Sequence, residues 1–211
     1  TGPQMGGWFN KEIKTIEDFK GLKMRIPGLG GEVIKAAGGT VVNLHGGELL
    51  TSIQSGAIDA LEWVGPYNDL AFGIHKAGKY YYYPGWHEPG GVLDCFINLN
   101  KWNSLSEDLK KIIEISAKAA TQKITEEMIA GNNLALEELI NKHKVNLKVF
   151  PDNVLKELAI LSNKVLNKLT SSDNLSKKVY QSIIKFRKAS IKRSEISEQK
   201  FLESRLKYLK I

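Results

Sequence analysis

Only one cysteine, Cys95, occurs in 211 residues, which excludes an intrachain disulfide and any metal site built from several thiolates. It sits in the apolar run 92–99 and is expected to be a buried, structural thiol. Long hydrophobic runs are missing as well. No stretch approaches the roughly eighteen consecutive apolar residues that span a bilayer, so direct membrane insertion is not expected. The first residues have neither the charged nor the apolar region of a secretion signal. The chain opens on Thr1-Gly2-Pro3 without an initiator Met and runs at once into an aromatic segment, so preceding sequence is expected to be absent from it. Catalytic signatures are scarce: there is no G-x-S-x-G elbow, no Walker A loop, and no histidine pair at helical metal-binding spacing. His45, His75, His87 and His143 are scattered. Gly28-Leu29-Gly30-Gly31 lacks dinucleotide spacing, so a tight turn before a helix N-terminus that favours an anion is the expected use.

What is present is an ordinary globular composition, 42% hydrophobic and 25% charged. The net charge of +7 is uneven: residues 1–100 carry 8 Lys/Arg against 10 Asp/Glu, and residues 101–211 carry 22 against 13. The C-terminal lysines alternate with apolar and acidic helical positions and lack glycine-rich or aromatic platforms for bases, so they read as a solvated helix face and no nucleic-acid partner is expected.

The first hundred residues alternate short strands and helices. Strands are expected at 5–9, 22–26, 40–44 and 57–64, and helices after the capping-box pattern Thr15…Asp18 and at 30–37 and 48–55. Pro27-Gly28, Gly38-Gly39, Gly56 and Gly65-Pro66 punctuate them. Such alternation predicts an α/β fold with a mostly parallel sheet covered by helices. Residues 67–77 read as helical and lead into Tyr80-Tyr81-Tyr82-Tyr83, an excursion from that sheet. Residues 92–99 read as an apolar strand. Ser104 opens a long helical tract to about residue 144, with Leu109, Ile112, Ile113, Ile115 and Ala119 near helical spacing. A short strand at 147–150, helices at 151–168 and 174–192 and a charged helical tail follow.

Polar residues at the ends of apolar strands mark where an α/β sheet exposes its ligand crevice. Arg25, between Met24 and Ile26, points by strand alternation to the opposite face, and its planar fork matches a carboxylate; a structural ion pair is the competing use. Glu62 ends an apolar strand and needs a partner there. Glu88 stands where an irregular segment re-enters a strand. Oxygen donors from Gln4, Glu62, the Trp63 carbonyl and Glu88 suit a hard cation if the fold brings them together. Trp8, Trp63, Trp86 and Tyr80 to Tyr83 can wall a pocket or fill a core.

Taken in order, Gly2-Pro3-Gln4-Met5-Gly6-Gly7-Trp8-Phe9, Leu22-Lys23-Met24-Arg25-Ile26-Pro27-Gly28, Leu50-Thr51-Ser52-Ile53-Gln54-Ser55-Gly56-Ala57-Ile58-Asp59-Ala60 and Glu62-Trp63-Val64-Gly65-Pro66 resemble the TRAP-transporter solute-binding proteins of the DctP family. The likeness is to the branch that binds 2-oxo acids and lactate. It is strongest over residues 1–100 and looser in the C-terminal helices. The resemblance implies a periplasmic-binding-protein-like, type II-like fold of two lobes with a long bracing helix, the N-terminal part of the first lobe being absent. Residues 1–66 and 88–125 would form the second lobe, 67–87 an excursion into the first, and 126–211 bracing helices and a homodimer interface, with 176–211 at that interface. It also implies a periplasmic location and a TRAP membrane permease as partner. A small organic acid anion, pyruvate, another 2-oxo acid or lactate, would be gripped by Arg25, with Gln4, Glu62, Trp63 and Trp8 around it. A cation held by Gln4, Glu62, the Trp63 carbonyl and Glu88 would bridge to the substrate.

In the branch that the chain resembles, the position of Glu88 is an acid in the calcium-lactate type and an amide in a sodium-pyruvate type. Glu62, Glu88, Arg25 and a monoanion together carry two negative charges, which Ca²⁺ neutralises and Na⁺ does not, so Ca²⁺ is the expected ion and Na⁺ the alternative. Three other readings stand beside this one: a metal-dependent lyase or hydratase acting on 2-oxo acids, a dicarboxylate or sugar-acid binder of the same family, and an interaction module on the basic helices. With no clear second catalytic group, a binding protein and not an enzyme is expected.

Overall fold

The computed structural model describes residue 2 and residues 4–209 of the chain; Thr1 and Pro3, named above, and the end of the 176–211 range lie outside the described residues. Six short strands, β1 (Gly7–Phe9), β2 (Lys23–Arg25), β3 (Thr40–Val42), β4 (Ala60–Leu61), β5 (Tyr80–Tyr83) and β6 (Asn146–Val149), form one sheet in the order β3-β2-β4-β1-β5-β6. β2 runs parallel to β3 and β4, and β5 parallel to β6. The expected mostly parallel sheet is instead mixed, because β1 lies antiparallel to both β4 and β5. Residues 67–87, read as an excursion, return β5 to this same sheet beside β1.

Side-chain alternation explains why β1 and β5 pair. Trp8 and Tyr81 are register partners, project to one face and stack at 4.0 Å between ring centroids. There they join Leu49, Ile53, Ile58, Leu61, Ile74 and Leu139 in the core. Phe9 and Tyr82 project to the other face, 5.2 Å apart, and both meet Phe150. Each aromatic pair contributes about 0.5–1.5 kcal/mol beyond its burial. A strand covered on both faces must be apolar throughout, as β1 is.

The helices are α1 (Gly28–Ala36), α2 (Leu49–Gln54), α3 (Pro66–Ala71), α4 (Leu99–Asn103), α5 (Glu107–Asn141), α6 (Asp152–Thr170), α7 (Asn174–Ile196) and α8 (Glu198–Tyr208). The Thr15…Asp18 pattern caps a 3₁₀ turn, Ile16–Phe19, with the backbone N–H groups of Lys14 and Thr15 donating to Asp18 Oδ2 at 2.8 Å. α5 packs on α3 at Gly131, where a Cβ would stand 2.8 Å from the Tyr67 ring. Next to it Asn132 Oδ1 accepts from the Tyr67 N–H at 3.0 Å. Farther along, α5 sends Ala135 and Leu139 into the core. Its expected apolar face at Leu109, Ile112 and Ile115 is exposed.

Residues 92–98, expected as a strand, form no regular element among the described residues, and Leu99 opens α4. Val92, Leu93 and Phe96 are exposed, and Cys95, expected to be buried, is exposed with them. An apolar run favours a strand, but a strand also needs a ladder partner, and none of the six strands pairs with this segment.

The chain divides into two units, Thr1–Ser162 and Asn163–Ile211. In the second, Asp173 caps α7 by accepting from the Ser176 N–H at 2.9 Å, and Leu175, Val179, Ile183 and Phe186 form an exposed apolar row along that helix. No described helix is long and apolar enough to cross a membrane.

Candidate ligand and cation site

The parallel strands β2 and β4 bring Arg25 and Glu62 to the same, C-terminal edge of the sheet, where the Glu62 N–H donates to the Arg25 carbonyl at 3.0 Å. Arg25 Nη1 donates to the Glu62 carbonyl at 2.6 Å and lies 3.4 Å from Glu62 Oε2. Its Nε donates to the Leu44 carbonyl at 3.3 Å, and the guanidinium carbon sits 5.1 Å from the Trp63 ring centroid. The fork is therefore held in one plane by backbone, carboxylate and ring together. Burial pushes the Arg25 pKa down from its ordinary value, and the Glu62 charge opposes that shift.

Glu62 is 2% exposed. Its second oxygen, Oε1, faces His87 Nε2 at 3.6 Å, and the His87 side chain is only 4% exposed. One ligating atom each from Glu62, His87 and Glu88 lies within 4.8 Å of the other two. Atoms bound to one cation at about 2.0–2.6 Å cannot stand much more than about 5 Å apart, so the three fit a single ion.

Gln4, on the lead into β1, lies beside the segments on either side of this cluster through its backbone. The Met5 N–H donates to the Val64 carbonyl at 3.2 Å, and at Gly85 a Cβ would stand 2.5 Å from the Gln4 carbonyl. Only glycine allows the turn before His87 to lie this close to Gln4. Gln4 Oε1, Trp63 Nε1, Trp86 Nε1 and both ring nitrogens of His87 are buried without a hydrogen-bond partner. Buried polar atoms are nearly always satisfied; Asn10 Oδ1, Asn68 Oδ1 and His75 Nδ1 are unpartnered as well, elsewhere in the fold.

Of the residues expected at the site, Arg25, Glu62, Trp63 and Glu88 come together, and Gln4 lies alongside. Trp8 does not belong with them. It is fully buried, stacked on Tyr81, and its Nε1 donates to Asp69 Oδ2 at 2.9 Å; it is a core residue, because β1 is covered on both faces. His87 was missed, although it adjoins Glu88. So was Asp69, a buried carboxylate in α3 that also accepts from the Tyr81 hydroxyl at 2.8 Å and the Val64 N–H at 3.3 Å. Burial raises the Asp69 pKa to about 6, against the opposing hydrogen bonds. Through Val64, Asp69 ties α3 to the chain immediately after Glu62 and Trp63.

Several known proteins are similar to this chain. A monocarboxylate 2-oxoacid-binding periplasmic protein of Nostoc is 41% identical over 198 residues, which is 94% of this chain and 54% of the relative. A TRAP periplasmic solute-binding protein of Colwellia psychrerythraea, with bound calcium and pyruvate, is 37% identical at a TM-score of 0.92 over 96% of this chain and 62% of that one. One from Pseudoalteromonas atlantica, with bound sodium and pyruvate, is 38% identical at the same TM-score and the same coverage. The chain thus spans about half to three-fifths of the length of these proteins. The family model for bacterial extracellular solute-binding protein, family 7 (DctP), matches residues 1–173, and the chain belongs to that family.

Proposed function

We propose that the protein acts as the solute-binding component of a TRAP transporter, capturing a small 2-oxo monocarboxylate such as pyruvate, or lactate, and delivering it to the membrane permease. The observation that carries this reading is the buried Arg25 fork set against the Glu62, His87 and Glu88 cluster, with unpartnered polar atoms around both. Arg25 grips the substrate carboxylate, its plane fixed by the Leu44 and Glu62 carbonyls. Glu62 and Glu88, with Gln4 and the Trp63 carbonyl, hold the cation. When bound, that ion supplies the positive charge that lets two carboxylates and an anionic ligand share a poorly solvated cleft. Ca²⁺ is favoured over Na⁺, since two carboxylates and a monoanion against one arginine leave two negative charges.

This unit would be one of two lobes that close on the ligand, in a protein that works in the periplasm. The exposed row Leu175, Val179, Ile183 and Phe186 on α7 supports pairing with a second copy. The family is one of binding proteins, so the acid should leave the protein chemically unchanged. Calorimetry of pyruvate and lactate binding after chelation, with Ca²⁺ or Na⁺ restored separately, tests the reading. Affinity should return with Ca²⁺; full affinity in chelator without Na⁺ overturns the cation bridge.

A further inference from the structure

His87 has no role in the cation set derived from oxygen donors, yet the structure sets it against the Glu62 carboxylate oxygen that Arg25 leaves free. Its imidazole is 96% buried, since only 4% of the side chain is exposed. Neither Nδ1 nor Nε2 has a hydrogen-bond partner. Leaving both nitrogens of a buried imidazole unsatisfied costs about 1–3 kcal/mol for each lost partner. Such a cost is maintained only where something else meets the ring. Nε2 stands 3.6 Å from Glu62 Oε1, too long for a good hydrogen bond. It is nevertheless close to the spacing of two donors on one ion, because bonds of about 2.1 Å at a tetrahedral or octahedral angle put donor atoms about 3.0–3.5 Å apart. Glu88 completes the triangle within 4.8 Å. The ring is held in place by Trp86, whose plane meets it at 65° with centroids 5.3 Å apart, and by Gly30 of α1, where a Cβ would stand 3.4 Å from His87 Cβ.

We propose that His87 is a nitrogen ligand in the cation site, and that it makes this cleft a site for first-row divalent transition metals, Mn²⁺, Co²⁺ or Zn²⁺, in addition to Ca²⁺. The inference rests on the reading of Glu62 and Glu88 as cation donors. Calcium takes oxygen ligands and gains little from an imidazole. Transition metals gain much from one, increasingly along the series to Cu²⁺. One nitrogen and two carboxylates form a mixed set that discriminates between the two classes. The oxygen donors serve either ion, and His87 sets the preference.

The test uses the full chain, stripped with chelator and held at one neutral pH. It is titrated with Co²⁺, Zn²⁺ and Ca²⁺ without organic acid, in wild type, His87→Ala, His87→Gln and Glu62→Gln. Far-UV circular dichroism and thermal unfolding of each variant check that it folds. Co²⁺ bound to wild type should show hyperfine-shifted imidazole N–H resonances that vanish in both His87 variants. Co²⁺ and Zn²⁺ affinities should fall about tenfold or more in those variants, the scale on which even outer-shell partners of a metal act, with Ca²⁺ affinity held within about threefold. Shifted resonances that persist in His87→Ala, or Co²⁺ affinity equal to wild type, overturn the proposal. A parallel loss of Ca²⁺ and Co²⁺ affinity also overturns it, since His87 would then only orient Glu62. If Glu62→Gln leaves every cation's affinity unchanged, the underlying cation reading fails and this inference falls with it. That result differs from a failure confined to His87.

Discussion

Arg25 and Glu62 grip each other twice: Arg25 Nη1 donates to the Glu62 backbone carbonyl at 2.6 Å while the Glu62 carboxylate stands 3.4 Å from the same nitrogen. The backbone bond survives any change of the Glu62 side chain, whereas the carboxylate remains available to a cation on its other oxygen. One residue, Glu62, thus fixes the guanidinium through its backbone and faces His87 with its second carboxylate oxygen.

Arg25→Lys should therefore weaken pyruvate binding more than it disturbs folding. An ammonium cannot accept the planar positioning that Leu44 and Glu62 impose on Nε and Nη1. Loss of a charge-assisted bond worth about 1.5–3 kcal/mol corresponds to about 10- to 100-fold in affinity. Calorimetry should register that loss with an unchanged far-UV spectrum; retained affinity would show that Arg25 serves only as an ion pair.

Glu62→Gln keeps the shape and the backbone carbonyl but removes the charge that a cation needs. Calcium in wild type should raise the unfolding temperature by mass action, about 2.7 kcal/mol at a hundredfold excess over the dissociation constant. The variant should lose most of that gain, and chelator should no longer lower its unfolding temperature. A calcium response equal to that of wild type would remove Glu62 from the site.

Asp69 makes stability depend on pH in an unusual direction. Its pKa of about 6 lies above the ordinary value of 3.8 for such a carboxyl. A carboxyl raised in the folded state takes up a proton on folding between those values, so its contribution to stability grows as pH falls from above 6 to below 4. The span of about two units corresponds to a contribution on the order of 3 kcal/mol. Asp69→Asn should lower stability at neutral pH, because its amide cannot accept from Trp8, Tyr81 and Val64 together. The stability difference between wild type and variant should widen in favour of wild type as pH drops through this range. Urea unfolding across pH 4–7 reads it; a constant difference would contradict the raised pKa.

Much of this was legible in the residues. Thr15…Asp18 and Gly65-Pro66 mark element starts because capping and backbone restriction are local. Arg25, Glu62 and Glu88 stand out because a charge at the end of an apolar strand requires a partner. Trp8 lies in the core and not at the site: an indole suits a pocket wall and a core equally, and only the pairing of β1 with β5 decides between them. Asp69 sits in the first turn of α3, where a carboxylate looks like an ordinary partner for the helix dipole; its burial depends on β1 and β5, distant in sequence. The direction of β1 was likewise invisible, because a three-residue apolar strand carries no mark of its neighbours' orientation.

Gly85→Ala tests whether Gln4 and the turn before His87 must touch. The new methyl would stand 2.5 Å from the Gln4 carbonyl and 3.2 Å from that of Met5, and backbone cannot yield as a side chain can. Overpacking of this kind costs about 1–3 kcal/mol. Calcium affinity should fall with it, as Gln4 and Glu88 are driven apart, and thermal unfolding with and without calcium separates the two effects. A variant that loses stability but keeps calcium affinity would show that Gln4 braces the turn without serving the ion.

Residues 92–98 offer the last prediction. Phe96 is 91% exposed and Val92 86%, in a segment with no ladder partner among the described residues. A bare apolar segment of this kind recruits another apolar surface. Charge on this segment opposes such stacking without touching the core. Val92→Lys combined with Phe96→Lys should lower both the binding of an apolar fluorescent dye and the self-association of this chain in sedimentation. Because neither side chain packs against the sheet, the unfolding free energy should move by no more than about 0.5 kcal/mol. Undiminished association would place the cause elsewhere, with the apolar row on α7 the next to be charged, at Ile183 and Phe186.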